Sequence, residues 1–129
     1  MRNINITTIE GLKMVNTTPH PINFLSEKTG EEYQVEPSGF ILNATPVEEV
    51  IQNESVTYVK TVFKPTEDGI EFLSSLSLDV IVVGSMIACQ CYDRACAMTP
   101  AKGFERVPPA QKKMNLFKFT IWGVLWFNK

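Results

Sequence analysis

The sequence predicts an α+β fold: one small domain, residues 1–129, mainly antiparallel β-sheet packed with two or three short helices and assembled as a homo-oligomer. Three observations carry that expectation. Runs rich in β-branched and aromatic residues, punctuated by Pro and Gly, fill the first half of the chain. Two short stretches with helix-start signals follow. The 129 residues are 44% hydrophobic and 20% charged, which suits one packed core.

Met14 to Thr18 and Ile22 to Leu25 read as extended pieces separated by Thr18-Pro19-His20-Pro21, where two prolines remove backbone donors and restrict their predecessors to form a rigid elbow. Glu32 to Glu36, Phe40 to Asn43 after the turn Glu36-Pro37-Ser38-Gly39, and Val56 to Lys64 complete an expected antiparallel meander. The alternation in Thr57 to Lys64 is partial and leaves the buried face open. At Pro65-Thr66-Glu67-Asp68, Thr66 caps a helix and the two acids complement its positive end. Ile70, Phe72, Leu73 and Leu76 form its apolar stripe, to be packed on the sheet. Asp79 to Val83 reads as a buried strand that runs through Gly84-Ser85 into a second helix, Met86 to Cys91. Met98 to Pro109 reads as a loop, with a short helix after Pro109. Leu116 to Phe127 reads as a strand with an exposed aromatic tail, which calls for a partner surface.

Charge and composition exclude several functions. The formal net charge of -2 argues against binding a DNA or RNA duplex over a whole face. The longest apolar run, around Val80 to Cys89, is roughly half a membrane span. The first residues lack a secretory h-region, so a cytoplasmic location is expected, and Asn5, Asn16, Asn43 and Asn53 in their N-x-S/T settings read as turn or strand-end residues. A single histidine, His20, excludes a two-histidine metal or acid–base site in one protomer. In its Pro-His-Pro setting a structural hydrogen-bonding role is expected of it. Cys89, Cys91 and Cys96 read as reduced, partly buried thiols rather than a zinc site or a disulfide. No P-loop, GxGxxG or HExxH pattern is present. No catalytic residue, metal or cofactor is expected, and a binding protein is the leading class.

The small net charge conceals a division. Residues 1–89 carry five bases against twelve acids, whereas residues 90–129 carry seven bases against two acids. This points to an anionic partner held by the C-terminal segment, unless the two parts simply neutralise one another across the fold. Backbone N–H groups at Gly84-Ser85 suit a phosphate. In the loop, Arg106 offers a bidentate contact and Lys102 a point charge, Gly103 permits close approach, and Phe104 or Tyr92 offers a stacking face. Lys112 and Lys113 extend the positive field. Ser85, Gln90, Tyr92, Arg94, Phe104, Arg106 and Lys113 are the expected ligand-binding residues.

Three blocks carry a resemblance: Val15-Asn16-Thr17-Thr18-Pro19-His20-Pro21-Ile22-Asn23-Phe24, Val82-Val83-Gly84-Ser85-Met86-Ile87-Ala88, and Ala97 through Pro109 with its Glu-Arg-Val-Pro-Pro run, followed by Lys-Phe-Thr-Ile. Together, over Asn5 to Trp122, they resemble the phage Thoeris anti-defence sponge family, its first-described (Tad-one) type. The resemblance implies a protein in the cytoplasm of the infected bacterial host that sequesters glycocyclic ADP-ribose, the signal of TIR-domain proteins, without cleaving it. It further implies a homo-oligomer built from dimers, a hexamer. Some members also bind cyclic trinucleotides of a second defence system, CBASS, between protomers. For that second site Met98, Thr99, Ala101 and Lys102 match the family segment lining the oligomer interface, with Lys102 standing where relatives carry arginine and lacking its planar fork. The ending Trp122 to Lys129 extends past the family's usual close. The alternatives are a small phage structural or assembly protein and a hydrolase of nucleotide signals.

Overall fold

The computed structural model describes residues 4–122. Nine strands and two α-helices follow in the order β1 (Thr7–Ile9), β2 (Leu12–Asn16), β3 (Ile22–Leu25), β4 (Glu32–Val35), β5 (Ala44–Gln52), β6 (Thr57–Pro65), α1 (Glu67–Ser74), β7 (Val80–Val83), α2 (Met86–Cys91), β8 (Ala95–Pro100) and β9 (Met114–Thr120). A 3-10 turn covers Pro109–Gln111. The architecture is a small α+β domain, mostly sheet, with two helices.

Seven strands form one sheet in the order β1-β2-β7-β8-β9-β3-β4. The expected antiparallel meander is corrected here: within this sheet β2·β7, β7·β8 and β3·β9 pair parallel and β1·β2, β8·β9 and β3·β4 antiparallel, while β5·β6, outside it, is also antiparallel. Residue patterning encodes local hairpins, whereas parallel neighbours arise from crossovers such as β7–α2–β8, which no local pattern announces.

One face of this sheet packs on the helices through Val15, Val82, Ala95 and Ala97 against Phe72, Ala88, Cys89 and Tyr92. Residues of β1, β2, β3, β4, β7 and β9 share a second cluster, Ile9, Met14, Ile22, Phe24, Val35, Val83 and Leu116. The sheet is therefore curled, so that its two edges meet. The Glu10 carboxylate, in the β1–β2 turn, accepts hydrogen bonds from Ser26 (3.1 Å), Thr29 (3.0 Å) and Tyr33 (2.9 Å) of the β3–β4 hairpin. Burial alone would raise the Glu10 pKa; the three hydroxyls and the Lys28 charge outweigh it and hold the carboxyl below its usual range.

Helix α1 starts as expected: the Thr66 hydroxyl accepts from the Gly69 N–H at 2.9 Å. Phe72 is buried, but Ile70, expected in the same stripe, is exposed. Phe40 to Asn43 is not a strand. The Leu42 N–H donates to the Thr17 carbonyl and Phe40 stacks on Phe72 at 4.2 Å, so the segment plugs the helical face instead of joining a ladder. Neither Thr7–Ile9 nor Ala44–Gln52 was expected as a strand, and Ala95–Pro100 takes in residues expected to be loop. Strands β5 and β6 form a separate two-stranded ribbon, exposed at every position except half-buried Ala44 and Phe63. Residues 123–129, the expected aromatic tail, lie outside the described residues.

Candidate functional site

The elbow between β2 and β3 is built from within. Asn16, buried at the end of β2, donates from Nδ2 to the His20 carbonyl (2.8 Å) and to the Val35 carbonyl (3.2 Å). Its Oδ1 accepts from the Thr18 N–H (2.9 Å) and the Thr18 hydroxyl (2.6 Å). This Asx arrangement, with two prolines, leaves the segment few alternative conformations. The next residue ties the elbow to the end of β7: the Thr17 hydroxyl donates to the Val83 carbonyl at 2.8 Å. A Cβ at Gly84 would stand 3.3 Å from that hydroxyl oxygen, so a side chain there crowds the junction.

Against this elbow lies a cavity of about 350 Å³ lined by Thr18, Pro19, His20, Pro21, Ile22, Asn23, Ser85, Met98, Pro109, Lys112 and Met114. Proline and methionine side chains make an apolar wall, and His20, Lys112, Ser85 and Asn23 supply polar groups. Lys112 is half-buried and donates to the Glu105 carbonyl at 2.8 Å, which fixes the ammonium without neutralising it. A second cavity, about 510 Å³, lies beside Phe40, Ile41, Asn43, Thr45 and Thr66 with Glu67 and Asp68 on its wall. Two carboxylates and no cation in its lining make it unsuited to an anion.

Of the residues expected to bind ligand, Ser85 and Met98 reach the elbow cavity. The Ser85 hydroxyl also caps α2, accepting from the Ala88 N–H at 3.2 Å. Tyr92 offers no stacking face. It is buried, donates to the Asn43 carbonyl at 2.7 Å and accepts from the Thr66 N–H at 2.7 Å, latching the base of the ribbon to α1. Arg94 also serves the fold. Its guanidinium donates to the carbonyls of Leu73 (3.0 Å), Leu76 (3.3 Å), Ser77 and Val80 (3.1 Å), supplying the C-terminal cation that α1 lacks in its own last turn. Lys113 pairs with Glu32 across the β9–β4 side of the sheet, so part of the charge division is neutralised internally.

Gln90, on α2, is exposed away from the cavity lining. Phe104 is half-buried and Arg106 exposed on the loop after β8. For the expected second site, the Thr99 hydroxyl donates to the Lys118 carbonyl at 3.0 Å and Lys102 is exposed. Ala101 is fully buried, its N–H donating to the Lys113 carbonyl at 2.8 Å.

Sequence reasoning assigned His20 a structural role and gave no site role to Asn23, Pro109 or Met114. The available signal was the stiffness of the Pro-His-Pro elbow, which displays its side chains at fixed positions. The cysteines are free; burial raises Cys89 to about 11 and Cys96 to about 12, and raises Cys91 as well, so none is a ready nucleophile at neutral pH. Among the described residues no cluster of His, Cys, Asp or Glu could hold a metal ion, and no helix is long and apolar enough to cross a membrane. Comparison with protein-family models, curated proteins and solved structures finds no match.

Proposed function

We propose that the protein binds a phosphate-bearing, nucleotide-derived signal in the elbow cavity and sequesters it without chemical change, acting as a phage anti-defence sponge for glycocyclic ADP-ribose in the host cytoplasm. One observation carries this reading: the three sequence blocks that bear the family resemblance, far apart in the chain, each contribute to a single cavity, through Thr18 to Asn23, Ser85, and Met98 with Pro109. Its chemistry suits such a ligand. Met98, Met114 and the prolines offer a flat-sided apolar wall for a base or ribose, and Lys112 with His20 offers charge and donors for a phosphate.

At about 350 Å³ the cavity is near the lower end of the roughly 300–1,000 Å³ typical of small-molecule sites, enough for about one nucleotide. A homo-oligomer built from dimers supplies the remaining wall in this reading. Cyclic trinucleotides are a second proposed ligand class, at a surface between protomers carrying Thr99 and Lys102. The His20 imidazole in the cavity favours one rival, a hydrolase, because an imidazole is suited to proton transfer.

Retention of glycocyclic ADP-ribose on the purified protein, followed by filtration, heat release and mass analysis, separates the readings. Recovery of the unaltered molecule is the expected result. A converted product makes the protein an enzyme, and no retention moves it to the structural class. Lys112→Ala is expected to weaken retention by about tenfold, the effect of losing one charge-assisted contact worth about 1.4 kcal/mol. If Arg106→Ala weakens it and Lys112→Ala does not, the loop after β8 holds the ligand and the elbow does not.

A further inference from the structure

We propose that the β5–β6 ribbon is a docking surface for a second copy of the chain, joined face to face about a two-fold axis that runs parallel to the strands. The proposal deepens the reading above by giving a surface to the dimer that reading assumes. It is argued from the ribbon's register and exposure, and ligand retention by a chain that shows no heterodimer would overturn this surface without overturning the ligand.

An isolated two-stranded hairpin is marginal in water, and contiguous exposed apolar surface marks an interaction site. The register pairs Val47 with Val62, Glu49 with Lys60 and Ile51 with Tyr58, and the alternation of a strand puts all six side chains on one face. The four apolar members of this face are between 40% and 54% exposed. The face thus reads as two apolar rows with one row of opposite charges between them, and a fourth row, Thr45 with Lys64, at the base of the ribbon, where the two-fold axis along the strands sets Lys64 against the neutral Thr45 of the other copy.

That arrangement selects both the occupant and the symmetry. A two-fold axis along the strands sets each residue against its own cross-strand partner from the other copy. Val47 then meets the partner's Val62, Ile51 meets the partner's Tyr58, and Glu49 and Lys60 meet the partner's Lys60 and Glu49. A two-fold axis across the strands instead sets Glu49 on the partner's Glu49 and Lys60 on the partner's Lys60, and like charges disfavour it. The opposite face pairs Pro46 with Phe63, Glu48 with Thr61, Val50 with Val59 and Gln52 with Thr57. It has no pair of opposite charges to set across the two-fold axis, and its Ala44 and Phe63 are already half-buried within the chain. Edge pairing through β5 would crowd Glu48 and Glu49 of both copies at the seam.

The test is the oligomeric state of the full chain by analytical ultracentrifugation, with charge-reversed variants. Wild-type protein is expected to dimerise. Glu49→Lys and Lys60→Glu each place like charges across the interface and are expected to raise the dimer dissociation constant by tenfold or more. Mixing the two variants restores both opposite-charge contacts between chains while leaving each ribbon's own pair repulsive, so an equimolar mixture is expected to give a heterodimer. A fold defect in either variant cannot produce that result. The proposal is overturned if the wild-type chain is monomeric at every soluble concentration. It is equally overturned if both single variants dimerise as well as wild type, or if the mixture shows no heterodimer.

Discussion

The β3–β4 hairpin and the β5–β6 ribbon are the same local structure in two different situations. Both are antiparallel pairs rich in residues that favour strands. In the first, Ile22, Phe24 and Val35 are buried, because β3 pairs with β9 on its other edge and Glu10 grips the hairpin from the far edge of the sheet. In the second, Val47, Val50, Ile51, Tyr58, Val59 and Val62 all face solvent. Composition does not separate the two hairpins. What separates them is a long-range strand partner: the curled sheet supplies one along β3, whereas among the described residues β5 and β6 pair only with each other.

The largest expected effect breaks this comparison most directly. Phe24 is fully buried and packs against Phe119 with ring centroids 6.0 Å apart. Phe24→Ala is expected to cost about 3–5 kcal/mol in urea unfolding, the range for deleting a core aromatic side chain. Val50→Ala, on the ribbon face not assigned to the second copy, is expected to stay within about 0.5 kcal/mol of wild type. A Val50→Ala cost well above about 1 kcal/mol would mean that the ribbon is part of the monomer's core after all.

A middle-sized effect lies where the ribbon joins the body. Gly69 sits inside α1, where alanine ordinarily stabilises a helix by up to about 1 kcal/mol. A Cβ there would stand 2.2 Å from the Tyr92 hydroxyl oxygen. Tyr92 cannot withdraw without breaking its bonds to Asn43 and Thr66, the residues flanking the ribbon. Gly69→Ala is therefore expected to destabilise by about 1–3 kcal/mol. In a Tyr92→Ala background, which removes both the hydroxyl and the ring carbons 2.7 and 2.8 Å from that Cβ, Gly69→Ala is expected to cost less than it does in wild type. A stabilising Gly69→Ala would show that the latch yields easily.

The parts of the fold legible in the sequence were those written in consecutive residues. The Thr66 cap, the Val80–Val83 strand, the Gly84-Ser85 junction and the helix Met86–Cys91 needed only local chemistry, and the structure has them at those positions. The edge-to-edge closure of the sheet was not legible, because Glu10 and Tyr33 carry no pattern that pairs them. Strand β5 was hidden by Pro46 and two adjacent glutamates, residues that an exposed ribbon edge tolerates and a central strand would not. At the site, the cations are dense along the chain after β8, and their density does not show which of them are free to meet a ligand. Arg94 and Lys113 were already committed to α1 and Glu32, obligations set by tertiary contacts alone.

The smallest expected effect concerns that closure, and its sign follows from two shifts on one contact. The Glu10 carboxyl lies below its ordinary value of 4.5, and the Tyr33 phenol lies above its ordinary value of 10.0, chiefly because it donates to Glu10. A depressed carboxyl pKa means that below 4.5 the unfolded chain binds a proton that the folded chain has yet to take up. The contribution is thus present above 4.5 and lost as pH falls through the folded value. A raised phenol pKa means that above 10.0 the folded chain keeps a proton the unfolded chain has released, so stability falls there as well. The contact therefore stabilises over a plateau between the two limits. Tyr33→Phe is expected to lower the urea midpoint slightly on the plateau and to converge on wild type at both ends. A difference that persists unchanged into acid would mean that the Tyr33 ring, and not its bond to Glu10, joins the two edges of the sheet.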